Sequence, residues 1–253
     1  MSNFSFILQA RVGSSRLPDK MILPFYEGKS IFELLLQKLI FHFHTENVIL
    51  ATSENRENDI LETIATSKNI KTYRGFENDV LNRFIEAAEH FDVKNIIRVC
   101  CDNPFLDINE IYRLIFASEN DNCVDYISFK VDDIPSIKTH FGFWTEFVTL
   151  ETLKKVNTIT SEKIYHEHVT NYIYENPQLF NIKLLDTTNI LSNRKNIRLT
   201  LDTINDFHIL SEIYFFLKKK YSDHFGINEI IEFLDENSFY KSEMEKQIKN
   251  NEK

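Results

Sequence analysis

The sequence predicts an α/β fold built on a mainly parallel sheet with helices on both faces. Short apolar runs alternate along the chain with segments of helical period. Those runs carry apolar residues at consecutive rather than alternate positions, as strands buried on both faces do. Of 253 residues, 43% are hydrophobic and 22 are Phe, enough for a large core. Gly and Pro number only five each, so the chain has little material for long loops.

Residues 4–10 read as the first strand, followed at once by a polar, basic loop. A helix is expected over 30–43, where Ser30 and Glu33 have the spacing of a capping box. Residues 48–53 form the second strand. Residues 57–68 form a helix with Ile60, Leu61, Ile64 and Ala65 on one face. Strand 70–74, helix 79–91 and strand 96–101 continue the rhythm, and Asp107 caps a helix with Glu110 three residues on. The rhythm then loosens. Strands are expected over 125–129 and 141–150, a helix over 161–175 stopped by Asn176-Pro177, and strands over 182–185 and 197–201. Thr203 opens a long helix to about Tyr221 with Asp206 at its capping-box position, and a shorter helix covers 228–236. The chain reads as one domain over 1–240, with 125–180 an insertion or oligomerisation arm. Residues 241–253 read as a charged, frayed tail.

The net charge of −9 argues against general nucleic-acid binding, which needs a broad basic surface. Cys100, Cys101 and Cys123 are odd in number and lack zinc spacing, which suits a reducing cytoplasm. The apolar run FSFIL is too short for a signal peptide, and no run is long enough to cross a membrane.

Positive charge is concentrated in the loop QARVGSSRLPDK, residues 9–20. It follows the first strand, and in parallel sheets ligands bind at the carboxyl ends of strands. Gly13, Ser14 and Ser15 are small enough to let backbone N–H groups approach a phosphate. Arg11 and Arg16 can fork onto phosphate oxygens, and Lys20 adds a point charge. The loop has neither the Walker nor the G-x-G-x-x-G pattern, and a solvated surface loop is the plain alternative. Asp102 and Asp202 each follow an expected strand, so both carboxylates sit at carboxyl ends, in number enough for Mg²⁺ together with phosphates and waters. Asp102 before Asn103-Pro104 could equally serve a turn, and Asp202 a helix N-terminus.

This loop resembles the signature of the cytidylyltransferases that make CMP-activated acidic sugars, the CMP-KDO and CMP-sialate synthetases, and especially their SpsF-like relatives. ATSEN, YRGFENDVLNRF, IRVCCDNPFLD, YHEHVTNYIYENP and IRLTLDTINDF follow in the same order to about residue 235. The resemblance implies a three-layer, Rossmann-like nucleotide-diphospho-sugar transferase fold, CTP as substrate, Mg²⁺ and a homodimer. It implies nucleotide contacts from Gln9, Ala10, Arg11, Gly13, Ser14, Ser15, Arg16 and Lys20, with Arg74, Asp79 and Arg83 as candidates for base and ribose. Asp79 is equally an ordinary N-cap and Arg83 an ordinary helix charge. Asp102 matches a D-x-P aspartate. Asp202 matches the first aspartate of a D-T-P-E-D-like motif, here DTIND, with Ile204 and Asn205 departing from it.

On the acceptor side, KTHFGFWTEF keeps Gly142 and Glu146 of the relatives' pattern. If the segment is a strand, His140, Gly142, Trp144 and Glu146 share one face, which with Lys138 would suit an acidic polyol or a dimer contact. His168 shares a helix face with Ile164, Tyr165 and Tyr172, which suits a core histidine as well as a site residue. His166 points elsewhere. The expected reaction is in-line attack of an acceptor hydroxyl on the α-phosphorus of CTP, with Arg11, Arg16, Lys20 and Asp102 as the catalytic set. A glycosyltransferase of the same fold is the alternative, though the usual D-x-D has Cys100 in place of its first aspartate. A non-catalytic binding subunit is a third reading.

Overall fold

The computed structural model describes residues 4–14 and 16–250. Seven strands line up in the main sheet. β1 (Ser5–Gln9) runs parallel to its neighbours on both sides. A short hairpin, β2 (Pro24–Tyr26) and β3 (Lys29–Ser30), leads into α1 (Ile31–His42), whose N-terminus is closed by the Ser30–Glu33 capping box. Then come β4 (Val48–Ser53), α2 (Asp59–Ser67), β5 (Lys71–Gly75), α3 (Val80–His90), β6 (Asn95–Cys100), α4 (Ile108–Glu119) and β7 (Tyr126–Val131). β8 (Ile134–Pro135) pairs back onto β7. β9 (Glu146–Thr149) is followed by α5 (Leu150–Ile159), α6 (Lys163–Glu167), α7 (Asn171–Glu175), β10 (Ile182–Asp186), α8 (Ile204–Tyr221), α9 (Ile227–Glu236) and α10 (Ser238–Asn250).

The sheet order is β10-β7-β9-β6-β1-β4-β5. Only β9 runs antiparallel in it, wedged between β6 and β7. Helices cover both faces, giving three layers. Phe6 and Leu8 enter one core while Ile7 enters the other, and Val48 and Leu50 likewise oppose Ile49 and Ala51. That two-sided burial explains why the strands read as continuous apolar runs.

Four expectations need correction. Residues 141–150 are not one strand. Phe141, Phe143 and Trp144 are all buried, which breaks the two-residue alternation, and Gly142 turns the chain with φ +67°. The segment 150–159 is instead helix α5, capped by the Thr149 side chain. The helix expected over 161–175 is split into α6 and α7 at 168–170, where Val169 and Thr170 are buried. Residues 197–201 are extended but do not join the sheet, because their alternate N–H groups go to isolated carbonyls: Leu199 to His140 at 2.7 Å and Leu201 to Asp102 at 2.8 Å. Finally, the stretch after Lys241 is no frayed tail through Asn250. It lies in α10, which buries Tyr240 and Met244 against the core. No helix among the described residues is long and apolar enough to cross a membrane.

Candidate active site

The basic loop leaves β1 at its carboxyl end and is pinned by short bonds. The Thr52 hydroxyl donates to the Ala10 carbonyl at 2.8 Å, and Val12 N–H donates to the buried Asn58 Oδ1 at 2.8 Å. Val12, Leu17 and Met21 are buried, so the loop is anchored by apolar side chains. At Gly13 an added Cβ would lie 2.6 Å from Glu57 Oε1, so the backbone there runs close to the Glu57 side chain in the turn before α2. Ser14 Oγ accepts from Leu17 N–H at 3.5 Å. Ser15 lies outside the described residues. Gln9 ends β1 in register with Ala51 and Cys100.

The loop's cations reach the two aspartates. Lys20 Nζ donates to the Leu201 carbonyl at 2.9 Å and stands 3.5 Å from Asp102 Oδ2 and 3.8 Å from Asp202 Oδ1. Arg16 Nη2 donates to Asp202 Oδ1 at 2.8 Å. Asp102 and Asp202 therefore converge across the end of β6, as expected, although one of them follows an extended segment rather than a strand. Among the described residues no group of three or more His, Cys, Asp or Glu is arranged to hold a metal. Two hard carboxylates around one cationic position do suit Mg²⁺, which completes its octahedron with phosphate oxygens and waters. Arg11 lies apart from this pair, 4.0 Å from Glu77 Oε1 and 3.7 Å from Glu167 Oε1.

A cavity of about 940 Å³ joins Arg16, Asp102 and Asp202 to Lys138, His140 and His168. Trp144 and Glu146 also line it, so all five acceptor candidates border one space. They do so by different means than a shared strand face. Trp144 is 7% exposed, its ring stacks on Phe129, and its indole N–H donates to Glu110 Oε2 at 3.2 Å. Its bulk serves the cavity wall from within the core. Glu146 is 4% exposed and bound by Arg98, by the Tyr126 hydroxyl and by Thr170 Oγ1 at 3.0 Å. Lys138 Nζ sits 4.8 Å above the Tyr174 ring. His168 is exposed on the cavity rather than packed in the core, because the helix breaks there.

The three candidates for base and ribose do not border this cavity. Arg74 is spent on fastening β5 to α2: it donates to Asp59 at 2.6 Å, Glu62 at 2.8 Å and the Asn55 carbonyl at 2.9 Å. Asp79 caps α3, accepting from Asn82 N–H at 3.0 Å, and also meets His166 Nδ1 at 2.8 Å. Arg83 is fully buried beneath Gly75, and its Nη1 donates to the Phe76 carbonyl at 3.1 Å. Burial, with Arg11 nearby, lowers its pKa to about 10. Together these residues shape the 75–79 turn beside Arg11. His166 was expected to point away, yet it ties α6 to that turn. With Asp79 on one ring nitrogen and the Thr160 carbonyl 3.0 Å from the other, both nitrogens face acceptors.

Two arginines that border the cavity, Arg98 and Arg198, escaped the sequence reading. Each sits inside an apolar run, NIIRVC and NIRLTL, and is almost fully buried. A charge inside a buried run is itself a signal, since it persists there only when paired. Cys100 also borders the cavity, but burial pushes its thiol up to about 12, which leaves it a poor nucleophile.

A phosphate-type loop after the first strand, facing paired aspartates at the carboxyl edge of a mainly parallel sheet, defines an α/β nucleotidyltransferase. The cytidylyltransferase family model matches residues 5–248, and the chain belongs to that family of CTP-dependent nucleotidyltransferases. It is 35% identical over 238 residues to an uncharacterized protein of Methanocaldococcus jannaschii, covering 93% of this chain and 92% of that one. It is 30% identical to the spore coat polysaccharide biosynthesis protein SpsF of Bacillus subtilis, covering 85% and 87%. A solved cytidylyltransferase from Leptospira borgpetersenii superposes with TM-score 0.82 at 28% identity, covering 95% of this chain and 97% of that one. CMP:2-keto-3-deoxy-manno-octonic acid synthetase, solved with CTP, shares the fold at TM-score 0.61 and 12% identity, covering 83% and 97%.

Proposed function

We propose that this enzyme transfers CMP from CTP to an acidic, sugar-like acceptor and releases pyrophosphate, in the making of a surface polysaccharide or glycoconjugate. The observation that carries the reading is the continuous cavity lined by Arg16, Asp102 and Asp202 together with Lys138, His140 and His168. In this reading an acceptor hydroxyl attacks the α-phosphorus in line, the new P–O bond forms, and the bond to the β-phosphate oxygen breaks. Arg11, Arg16 and Lys20 stabilise the charge that grows on the leaving pyrophosphate. Binding the triphosphate draws Arg16 and Lys20 off the aspartates, which they neutralise in its absence. Asp102 and Asp202 are then the residues that would hold Mg²⁺. When bound, that ion offsets phosphate charge and lowers the pKa of the attacking hydroxyl. Lys138, His140 and His168 are cationic or hydrogen-bonding groups that orient an acidic acceptor. The names of the Bacillus subtilis and CMP-KDO relatives support a surface-sugar pathway. The family resemblance alone supports a homodimer, which light scattering of the purified protein tests, and the cysteine content supports a reducing cytoplasm.

The experiment is a pyrophosphate-release screen with CTP and Mg²⁺ against acidic sugars, neutral sugars and sugar phosphates. Turnover with an acidic acceptor supports the reading. Turnover confined to neutral acceptors overturns the acceptor assignment, and glycosyl transfer from a UDP-sugar with release of UDP, but no pyrophosphate from CTP, overturns the reaction.

A further inference from the structure

The geometry points to Arg198 as a positioning residue that divides the two oxygens of Asp202, keeping Oδ2 in the protein and turning Oδ1 to the reaction centre. This rests on the reading of Asp202 as a cation ligand. Arg198 is 2% exposed, and its guanidinium forks onto Asp206, Nε to Oδ1 at 2.8 Å and Nη2 to Oδ2 at 2.9 Å. The same Nη2 donates to Asp202 Oδ2 at 3.0 Å. Asp202 Oδ1 instead faces the loop, 2.8 Å from Arg16 and 3.8 Å from Lys20, on the side where Lys20 also meets Asp102.

Asp206 fixes the backbone as well as the guanidinium. Its Oδ2 accepts the N–H of Asp202 at 3.1 Å and of Thr203 at 2.9 Å. Arg198, Asp202 and Asp206 thus stand four residues apart in turn, two carboxylates sharing one buried fork. The third nitrogen, Nη1, meets His140 Nδ1 at 3.1 Å. A guanidinium only donates, so His140 Nδ1 accepts and the neutral ring carries its proton on Nε2. One side chain therefore sets both a ligand on the nucleotide side and a residue of the acceptor wall. Helix α10 braces the unit: Met244 Sδ accepts the Arg198 N–H at 3.5 Å, and Gln247 Oε1 accepts from Thr203 Oγ1 at 3.3 Å. A lysine cannot replace this arginine, because a point ammonium cannot span Asp206, Asp202 and His140 in one plane. Asp202 Oδ1 is thus the oxygen left that would hold a cation, Oδ2 being held by Arg198.

The test uses Mn²⁺ as probe and α,β-methylene-CTP, which cannot transfer CMP. Calorimetry measures Mn²⁺ binding to the full chain saturated with the analogue, and analogue binding without metal. In Arg198→Lys and Asp206→Asn, Mn²⁺ affinity is expected to fall about 10–100-fold, the usual cost of losing a partner behind a metal ligand. Metal-free analogue affinity stays within about threefold, and excess Mn²⁺ restores turnover, which a merely structural defect does not allow. Should Arg198→Lys fail to fold, Asp206→Asn carries the test, since Asn keeps an acceptor for the helix cap. Wild-type Mn²⁺ affinity in a folded variant overturns the inference. Absence of Mn²⁺ binding in the wild-type analogue complex overturns the metal reading itself, a separate result.

Discussion

Gly142 offers a sharp quantitative prediction because two costs of a single methyl can be separated. Its φ is +67°, and an added Cβ would lie 3.0 Å from Asn103 Oδ1, 3.2 Å from the Leu199 carbonyl and 3.3 Å from Thr200 Cγ2. The left-handed backbone costs an L-residue about 1–2 kcal/mol. The Leu199 backbone cannot give way cheaply, since its own N–H is held by the His140 carbonyl at 2.7 Å. Such overpacking adds roughly 1–3 kcal/mol. Gly142→Ala is therefore expected to lose about 2–5 kcal/mol, and at roughly 2–4 °C per kcal/mol the Tm falls by about 4–20 °C. Gly28 is the control: its φ is +76° with nothing within 4 Å of an added Cβ, so Gly28→Ala bears only the backbone cost of about 1–2 kcal/mol. Urea and thermal unfolding of both variants give the difference. Asn103 adjoins Asp102 and Thr200 lies two residues before Asp202, so Gly142→Ala also lowers kcat at a temperature where it is folded, while Gly28→Ala keeps it. Equal destabilisation of the two variants, or full activity in Gly142→Ala, refutes the packing argument.

Other consequences can be checked with the same preparations. Glu146→Gln strips the buried Arg98 of its counter-charge and is expected to cost about 3–5 kcal/mol in urea unfolding, part of which the double change Arg98→Met, Glu146→Leu recovers. Truncation after Asn237 exposes the sites of Tyr240 and Met244, each worth about 1.5–3 kcal/mol of burial, whereas a frayed tail could be removed without effect. At His166, burial opposes the charge, but the Thr160 carbonyl and Asp79 outweigh it and raise the pKa. A raised folded pKa gives stability that is full below the ordinary histidine value near 6.5 and lost as pH rises through the folded value. The urea midpoint should decline across that window, and His166→Gln should remove this part of the pH dependence. Lys20→Met is expected to reduce pyrophosphate release by about 10²–10³, measured at saturating CTP.

The regular elements were legible because each had its own local physics. Ser30 with Glu33 and Thr203 with Asp206 announced helices that start where expected. The two-sided strands β1, β4 and β6 stood out as apolar runs. The acceptor side was harder. Phe141, Phe143 and Trp144 are individually good strand residues, but their rings pack on one another and on Phe129 of β7. The break at 168–170 has no proline or glycine to mark it, and helical period alone left His168 open between the core and the site. Helix α10 looked like a solvated tail because its apolar residues, Phe239, Tyr240, Met244 and Ile248, are outnumbered by charges. Arg74 and Asp79 were sound as motif residues. Their side chains are nonetheless taken by Asp59, Glu62 and His166, partners 12 to 87 residues away that only the fold brings near.

The central claim is that Asp102, Asp202 and the loop cations bind a cytidine triphosphate together with a metal. The most direct measurement is calorimetric binding of CTP, UTP and UDP-N-acetylglucosamine with Mg²⁺ present, on wild type and Asp102→Asn side by side. The account predicts preference for CTP in the wild type and loss of its metal dependence in Asp102→Asn. Preference for the UDP-sugar, or CTP binding with the same metal dependence in Asp102→Asn, contradicts it.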